Sequence, residues 1–473
     1  RVDGLEKKVG QLEATQFSTT TKLEGDTYWT IGANSFGGTG GVNSTTAPGN
    51  PAFNNQNYGA LTFNYDLRLN LKTSFTGKDL LYTRLRAGNY LGSGFGGSPY
   101  SLGALDRAFP GNNTSGFAST NNGFYLDRLY YRFPVGKVLT AAIGPVARNT
   151  EFLGTTPFYY GDHNGLDFFQ LHGAPGTYNK ATGGTAALIW KQPVKKGKPY
   201  FTVSTSLVSP GSYSADAQGN TAANGNANAI TPNSGGILNN KSADSWLTQI
   251  GYVKNLWKAT FAWRYGKCGD AQNYQNRRGS QAATQALLCS DSNGGAYSSY
   301  TNNFALGLAW QPKENGTFVP SVNLGYGYSA YTQQGVSTYG NATNGTAGTV
   351  SYAALGARGT GNTIGNIAAT QSWTVALQWK DAFRKSNSAG MAVGQPSFVT
   401  ATRNGQTPQD GNYAWEWWYK FQVSDNISVT PTIFYLSNPS SAGVPANGTG
   451  SNAYGQATGT NVFGAFVAAQ FKF

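Results

Sequence analysis

No run of apolar residues in this 473-residue sequence approaches the roughly 20 needed for a membrane-spanning helix, which excludes a helical membrane protein. Charge is scarce too: only 12% of residues are Asp, Glu, Lys or Arg, about half the usual globular share. There is one Met, and there are two Cys and two His. Neither His lies near a Cys, so zinc-site and Cys–His catalytic spacings are missing. Paired carboxylates, a nucleophile elbow and a phosphate loop are missing as well. The stretch "GSGFGG" (Gly92 to Gly97) matches a dinucleotide glycine pattern, but no helix pattern follows it. These absences argue against an enzyme and against a cofactor.

Glycine and aromatics are abundant: 63 Gly, 28 Tyr, 26 Phe and 11 Trp. The mean hydropathy of −0.38 resembles that of a soluble protein. Strands of a transmembrane barrel are about ten residues long and apolar on one face only, so averages miss them. The net charge of +13 raises nucleic acid as a partner. Nucleic-acid binding calls for clustered Lys/Arg with exposed aromatics. The single dense run, "KQPVKKGKP" (Lys191 to Pro199), reads as a turn, so nucleic acid is not expected.

Residues 1–24 differ from the rest. Val2, Leu5, Val9 and Leu12 fall at a and d of a heptad, as at the end of a coiled coil or periplasmic linker; an amphipathic helix folded back on the domain is the alternative. The chain starts at Arg1 without Met or signal peptide, as a processed or truncated chain would. From Gly25 to Phe473 no convincing helix is found, and apolar alternation dominates. In "LTFNYDLRLNLKTSF", Leu61, Phe63, Tyr65, Leu67, Leu69 and Leu71 face one way and Thr62, Asn64, Asp66, Arg68, Asn70 and Lys72 the other.

Sixteen such strands are expected, at 26–34, 59–74, 80–90, 123–133, 138–148, 184–192, 199–208, 244–254, 257–267, 301–311, 317–329, 371–380, 389–395, 412–423, 427–437 and 461–473. Their connections alternate between short turns, such as "TGKD" and "KNL", and long Gly/Asn/Ser/Thr-rich loops. A 16-stranded antiparallel transmembrane β-barrel predicts this asymmetry, with both termini on the short-turn side. Trp190, Trp257, Trp310 and Trp379 near strand ends fit interfacial girdles. A soluble all-β binding protein explains alternation in one strand, but explains sixteen long strands less well. Cys268 and Cys289, an even pair in one loop, suggest a disulfide in an oxidising compartment; two free thiols are the alternative.

On the junction "LEATQFSTTTKLEGDTYW" (Leu12 to Trp29), the strand pattern and the terminal "FVAAQFKF", the chain resembles the outer-membrane porins of cyanobacteria. These are similar to the carbohydrate-selective porin family and are often labelled iron-uptake porins. The resemblance implies a homotrimer in outer-membrane lipid, with periplasmic termini and extracellular long loops. It also implies a surface-layer-homology domain, absent from this sequence, that would bind a cell-wall polymer.

An expected lumen carries its chemistry on inward side chains and on any loop folded inside. Arg68, Lys72, Arg84, Arg86, Arg128 and Arg132 share the polar face of the second to fourth strands, and like charges so close need counter-charges. The third long loop offers Glu151, Asp162 and Asp167, together with Phe158, Tyr159, Tyr160, Phe168 and Phe169. A basic wall facing an acidic, aromatic loop would form a constriction with a modest preference for anions. Asp127 breaks the alternation, since it sits beside outward Leu129 and Tyr131. His163 and His172, with Asp162 and Asp167, read as hydrogen-bonding loop residues rather than metal ligands. The expected function is passive diffusion of small hydrophilic solutes and inorganic ions. The alternatives are a substrate-specific channel for carbohydrate or iron, and a tether between outer membrane and cell wall. Phe473 ends the last strand as an outward aromatic, which the resemblance marks as an insertion signal. Phe466 is an unexplained aromatic on the lumen face.

Overall fold

The computed structural model describes residues 21–38, 50–109, 121–161, 163–213, 215, 235–239, 242–267, 278–280, 283–284, 300–313, 318–332, 338–340, 347–349, 367–402, 410–439 and 459–473. Of the coiled coil or linker expected over residues 1–24, residues 1–20 lie outside them and residues 21–24 are strand; Cys268, Cys289 and Asp162 also lie outside them. Eleven barrel strands come first: β1 (Thr21–Gly38), β2 (Thr62–Thr73), β3 (Leu80–Gly88), β4 (Tyr125–Val135), β5 (Leu139–Arg148), β6 (Thr182–Lys191), β7 (Tyr200–Ser209), β8 (Ser245–Lys254), β9 (Trp257–Lys267), β10 (Tyr300–Trp310) and β11 (Ser321–Thr332). A small hairpin of β12 (Thr338–Gly340) and β13 (Ala347–Thr349) stands apart from the barrel. Five more strands complete the wall: β14 (Ile367–Lys380), β15 (Ser388–Thr402), β16 (Tyr413–Gln422), β17 (Ile427–Ser437) and β18 (Thr460–Lys472).

Every barrel strand pairs antiparallel with its neighbours, and β18 pairs with β1 to close a barrel of sixteen strands. Closure leaves no unpaired edge, so the backbone can satisfy its hydrogen bonds without water. The sixteen expected strands are all present. β1 begins at Thr21 rather than 26, because Thr21 to Glu24 pair with Thr73 to Asn70. β15 runs to Thr402 rather than 395; register shifts against β14 break the period-2 pattern there. One helix was not anticipated, α1 (Pro51–Tyr58). Asn50 caps it, accepting from the N–H groups of Ala52 (2.9 Å) and Phe53 (3.3 Å), and Pro51 opens it. It is too short and too polar to show a hydrophobic period.

The outer face is apolar. Phe63, Ile143, Leu188, Ile250, Leu306 and Val467 are exposed on it. Aromatic pairs mark its short-turn end: Trp29–Phe471 (4.8 Å), Phe201–Tyr252 (4.9 Å) and Trp257–Trp310 (6.0 Å between centroids). Phe473 lies there too, exposed, with its ring over Gly25 and its backbone exchanging hydrogen bonds with Gly25 (2.6 and 3.0 Å). The inner face is mostly polar, and two loops fold onto it.

Candidate pore constriction

The inner faces of β2, β3 and β4 bring the arginines together. Register sets Arg68 opposite Arg86, and Arg84 opposite Arg128. Like charges directly across a sheet repel. The structure resolves the conflict mainly with carboxylates from the wall itself, rather than from the loop as the sequence suggested. Asp66 accepts from Arg68 Nε at 3.1 Å and from Arg86 through Nε (3.1 Å) and Nη2. Asp127 joins them because of a bulge: Arg84 pairs with Arg128, but Leu85 pairs with Leu126. The extra residue turns Asp127 inward beside Arg128, which accounts for its break in alternation. Its carboxylate lies 3.1 Å from Arg128, 3.5 Å from Arg84 and 3.8 Å from Arg86. From the third loop, Glu151 adds 2.7 Å to Arg128 and 3.9 Å to Arg84. Four arginines thus share three carboxylates.

This cluster is not an open basic wall. Arg68, Arg86 and Arg128 are 7%, 5% and 1% exposed, because their own counter-ions and the inward loops cover them. Lys72 pairs with Glu24 near the short-turn rim. Arg132 is exposed and makes no ion pair among the described residues.

The third long loop (149–181) crosses the barrel interior. It leaves β5 through a short 3-10 turn, Asn149–Phe152, which presents Glu151. Lumen-facing side chains then take its backbone N–H groups in turn: Ser204 takes Gly154 (3.0 Å), Asn323 takes Tyr159 (2.7 Å), Gln378 takes Gly161 (3.0 Å) and Glu416 takes Leu166 (2.7 Å). Glu416 also accepts from the Tyr160 hydroxyl at 2.6 Å and bonds His163 Nε2 at 2.9 Å, while the His163 ring stacks on Trp418 at 4.3 Å. On the way back, Ser372 Oγ donates to Gly173 O (2.8 Å) and Arg264 Nε to Gly176 O (2.6 Å).

Wall glycines make room for this path. A Cβ on Gly325 would stand 2.1 Å from the His172 carbonyl oxygen; on Gly251, 2.5 Å from Thr155; on Gly394, 2.8 Å from the Phe168 ring. Inward glycines in strands were the available sequence signal for a close backbone approach.

Phe158, Tyr160, Phe168 and Phe169 are buried by this docking, and only Tyr159 stays partly open, under Lys258 Nζ at 3.8 Å. Asp167 is buried as well, paired with Lys180 and, at 2.9 Å, with Arg278, so it does not face the arginines. Burial, with Lys180 and Lys258 nearby, lowers the His172 pKa to about 3, so that ring is neutral. Among the described residues no three His, Cys, Asp or Glu side chains gather as a metal site would require.

The described first part of the second long loop (89–109) also folds inward, which sequence reasoning missed. Its 3-10 turn, Gly94–Gly96, is capped by Ser93 and presents Phe95 to Phe466 (5.4 Å) and Phe434 (6.4 Å). Phe466 is therefore the landing point of a loop, and its place on the lumen face was the signal. The two loops are bound together. Asp106 N donates to Gly165 O (2.9 Å), Asp167 N to Ala104 O (2.9 Å), and Lys180 Nζ reaches Asp106 at 2.5 Å. Burial opposes ionisation of Asp106, but Lys180, Arg107 and Arg68 hold its pKa well below the ordinary value. Toward the short-turn rim, the loops and wall border a cavity of about 590 Å³, lined by Asp26, Tyr28, Asp106, Arg107 and Lys472 among others.

Comparison with known proteins agrees with this architecture. An uncharacterized protein of Nostoc sp. is 27% identical over 450 residues, covering 93% of this chain and 65% of the relative. One of Synechocystis sp. is 27% identical over 446 residues, covering 93% and 69%. The chain thus spans about two thirds of the length of these relatives. The high-pH structure of Pseudomonas putida OprB shares the fold, with a TM-score of 0.50 at 13% identity, covering 99% of this chain and 97% of that one. Residues 1–457 match the family described as carbohydrate-selective porin, OprB family, and the chain belongs to that family.

Proposed function

We propose that this outer-membrane channel passes small hydrophilic solutes and inorganic ions by passive diffusion, through a lumen narrowed by its second and third long loops. The short-turn rim and both termini face the periplasm in this reading, and the protein assembles as a homotrimer. One observation carries the proposal: successive backbone N–H groups of the third loop are held by inward side chains of β7, β11, β14 and β16. A loop fixed at so many points restricts the pore permanently rather than closing it as a lid. Planar-bilayer recordings with solutes of graded size test this. Ohmic single-channel current with a sharp size cut-off is expected. Absence of conductance from correctly folded protein would overturn it.

Substrate selectivity for carbohydrate is the second reading, favoured by the family. Of the third-loop aromatics that could stack on a sugar ring, Tyr160, Phe168 and Phe169 are taken up by packing, and Tyr159 alone of these four stays partly open. Saturable block of current by one sugar would favour this reading over general diffusion.

A further inference from the structure

The lumen wall changes character one pleat below the third loop, toward the short-turn rim. Arg132 lies two residues from Tyr130, whose ring packs on Phe152 of the loop (5.2 Å). Lys380 lies two residues from Gln378, which holds Gly161. Lys191 lies two residues from Ile189, which packs against the same Phe152 cluster, and its Nζ sits 4.4 Å over the Tyr200 ring. Lys258 lies two residues from Thr260 on the inner face of β9, and its Nζ sits 3.8 Å from the Tyr159 ring centroid. Side chains two residues apart on a strand share a face, so these four cations point into the lumen. None makes an ion pair among the described residues, and Lys258 and Lys380 are near enough to repel one another.

The turns below them add Lys137, Lys195, Lys196 and Lys198, which line a cavity of about 730 Å³ with Lys191, Tyr200 and Thr140. No acidic residue occurs in residues 134–138, 192–199 or 254–256, and Asp381, next to Lys380, accepts from Ser386 N at 2.6 Å and pairs with none of the four cations among the described residues. The carboxylates of β1 at this end are engaged elsewhere, Glu24 with Lys72 and Asp26 with Arg107 (3.3 Å).

The contrast with the arginine cluster is one of neutralisation. Asp66, Asp127 and Glu151 cancel most of the charge of Arg68, Arg84, Arg86 and Arg128, and three of those arginines are buried. Uncompensated charge lining an aqueous recess projects a field over about a Debye length, roughly 8–10 Å at physiological salt, and concentrates counter-ions there.

We propose that this lysine collar, rather than the arginine cluster, sets the ion preference of the channel, and that it is a docking site for polyvalent anionic solutes bearing phosphate or several carboxylates. The site is asymmetric, being reached directly from the short-turn side and only past the loops from the other.

The proposal rests on the channel reading and is tested in planar bilayers with the full chain, using citrate and pyrophosphate as probes. In a KCl gradient the wild type should favour chloride several-fold. Millimolar citrate or pyrophosphate should block current from the short-turn side at concentrations at least ten-fold lower than from the long-loop side. A Lys191→Gln, Lys258→Gln, Lys380→Gln variant should lose at least three-fold in chloride preference and most of the block. A second variant, Lys195→Glu, Lys196→Glu, Lys198→Glu, confined to an exposed turn, should weaken the block from the short-turn side. Unheated gel mobility reports whether each barrel has formed. Open channels in both variants with unchanged chloride preference and unchanged block would overturn the collar while leaving the channel reading intact. A folded wild type without conductance would overturn both.

Discussion

Replacing Gly325 by Ala puts one methyl group between the barrel wall and the third loop. The new Cβ would stand 2.1 Å from the His172 carbonyl oxygen and 2.7 Å from the Phe158 ring. Non-bonded carbon–oxygen contacts settle at about 3.3–3.6 Å, an overlap of roughly 1.2 Å. The obstacle is backbone, so no side-chain rotation relieves it. β11 is hydrogen-bonded on both sides, to β10 and β14, so the loop yields rather than the strand. Lifting it strains the bond from Ser372 Oγ to Gly173 O (2.8 Å) and the one from Tyr159 N to Asn323 (2.7 Å). Two hydrogen bonds at about 1 kcal/mol each, or overpacking at about 1–3 kcal/mol, give roughly 2–3 kcal/mol against the docked loop. At about 1.4 kcal/mol per decade, the docked-to-undocked ratio falls about 30- to 150-fold. The variant should form a barrel with wild-type unheated gel mobility, yet show larger mean conductance and a higher solute size cut-off. Leu324→Ala, one residue away on the outer face, should behave as wild type. Wild-type conductance and cut-off in Gly325→Ala would refute the placement of the loop against this wall.

Glu416→Ala should leave the Tyr160 hydroxyl, His163 and the Leu166 N–H without their acceptor, at a cost of about 3–5 kcal/mol; a lower temperature for conversion from compact to extended gel mobility measures it. Asp127→Asn removes a counter-charge shared by three arginines and should cost about 3 kcal/mol, with Arg84→Met in the same chain restoring part of it. Because the Asp106 pKa is depressed in the fold, its stabilisation is present above the ordinary carboxylate value of ~3.9 and is lost as pH falls through the lower folded value. Conductance should therefore become noisier well below pH 4, and Asp106→Asn should show that noise already at neutral pH.

Alternation in single strands, such as Leu61 to Leu71, made the barrel legible, because a wall between water and lipid imposes a strict period of two. The turns were legible from their length. What failed was whatever broke the period or reached across the lumen. Asp127 looked misplaced because a bulge cannot be seen without its partner strand. The arginine cluster was foreseen as a group, but its neutralisation by Asp66 and Asp127 depends on register, which one strand does not encode alone. The third loop was placed inside on its aromatics and on the carboxylates expected to face the arginines. The second loop carried the same cue in Phe95, whose partners Phe434 and Phe466 lie more than 300 residues away in sequence. The inward glycines of β8, β11 and β15 marked the third loop's track, but only once it was known which face of each strand was inner.

The tether between Tyr160 and Glu416 spans 256 residues of sequence. The loop enters β5–β6 early in the chain, while its anchor on β16 comes near the end, and β1 gains its second neighbour only when β18 arrives. Contacts so distant raise the contact order of the fold, which goes with slow folding. The bore of the channel is thus set jointly by residues from early and late in the chain, and no fragment that lacks either part of the wall holds the loop at both its β5 root and its β16 anchor.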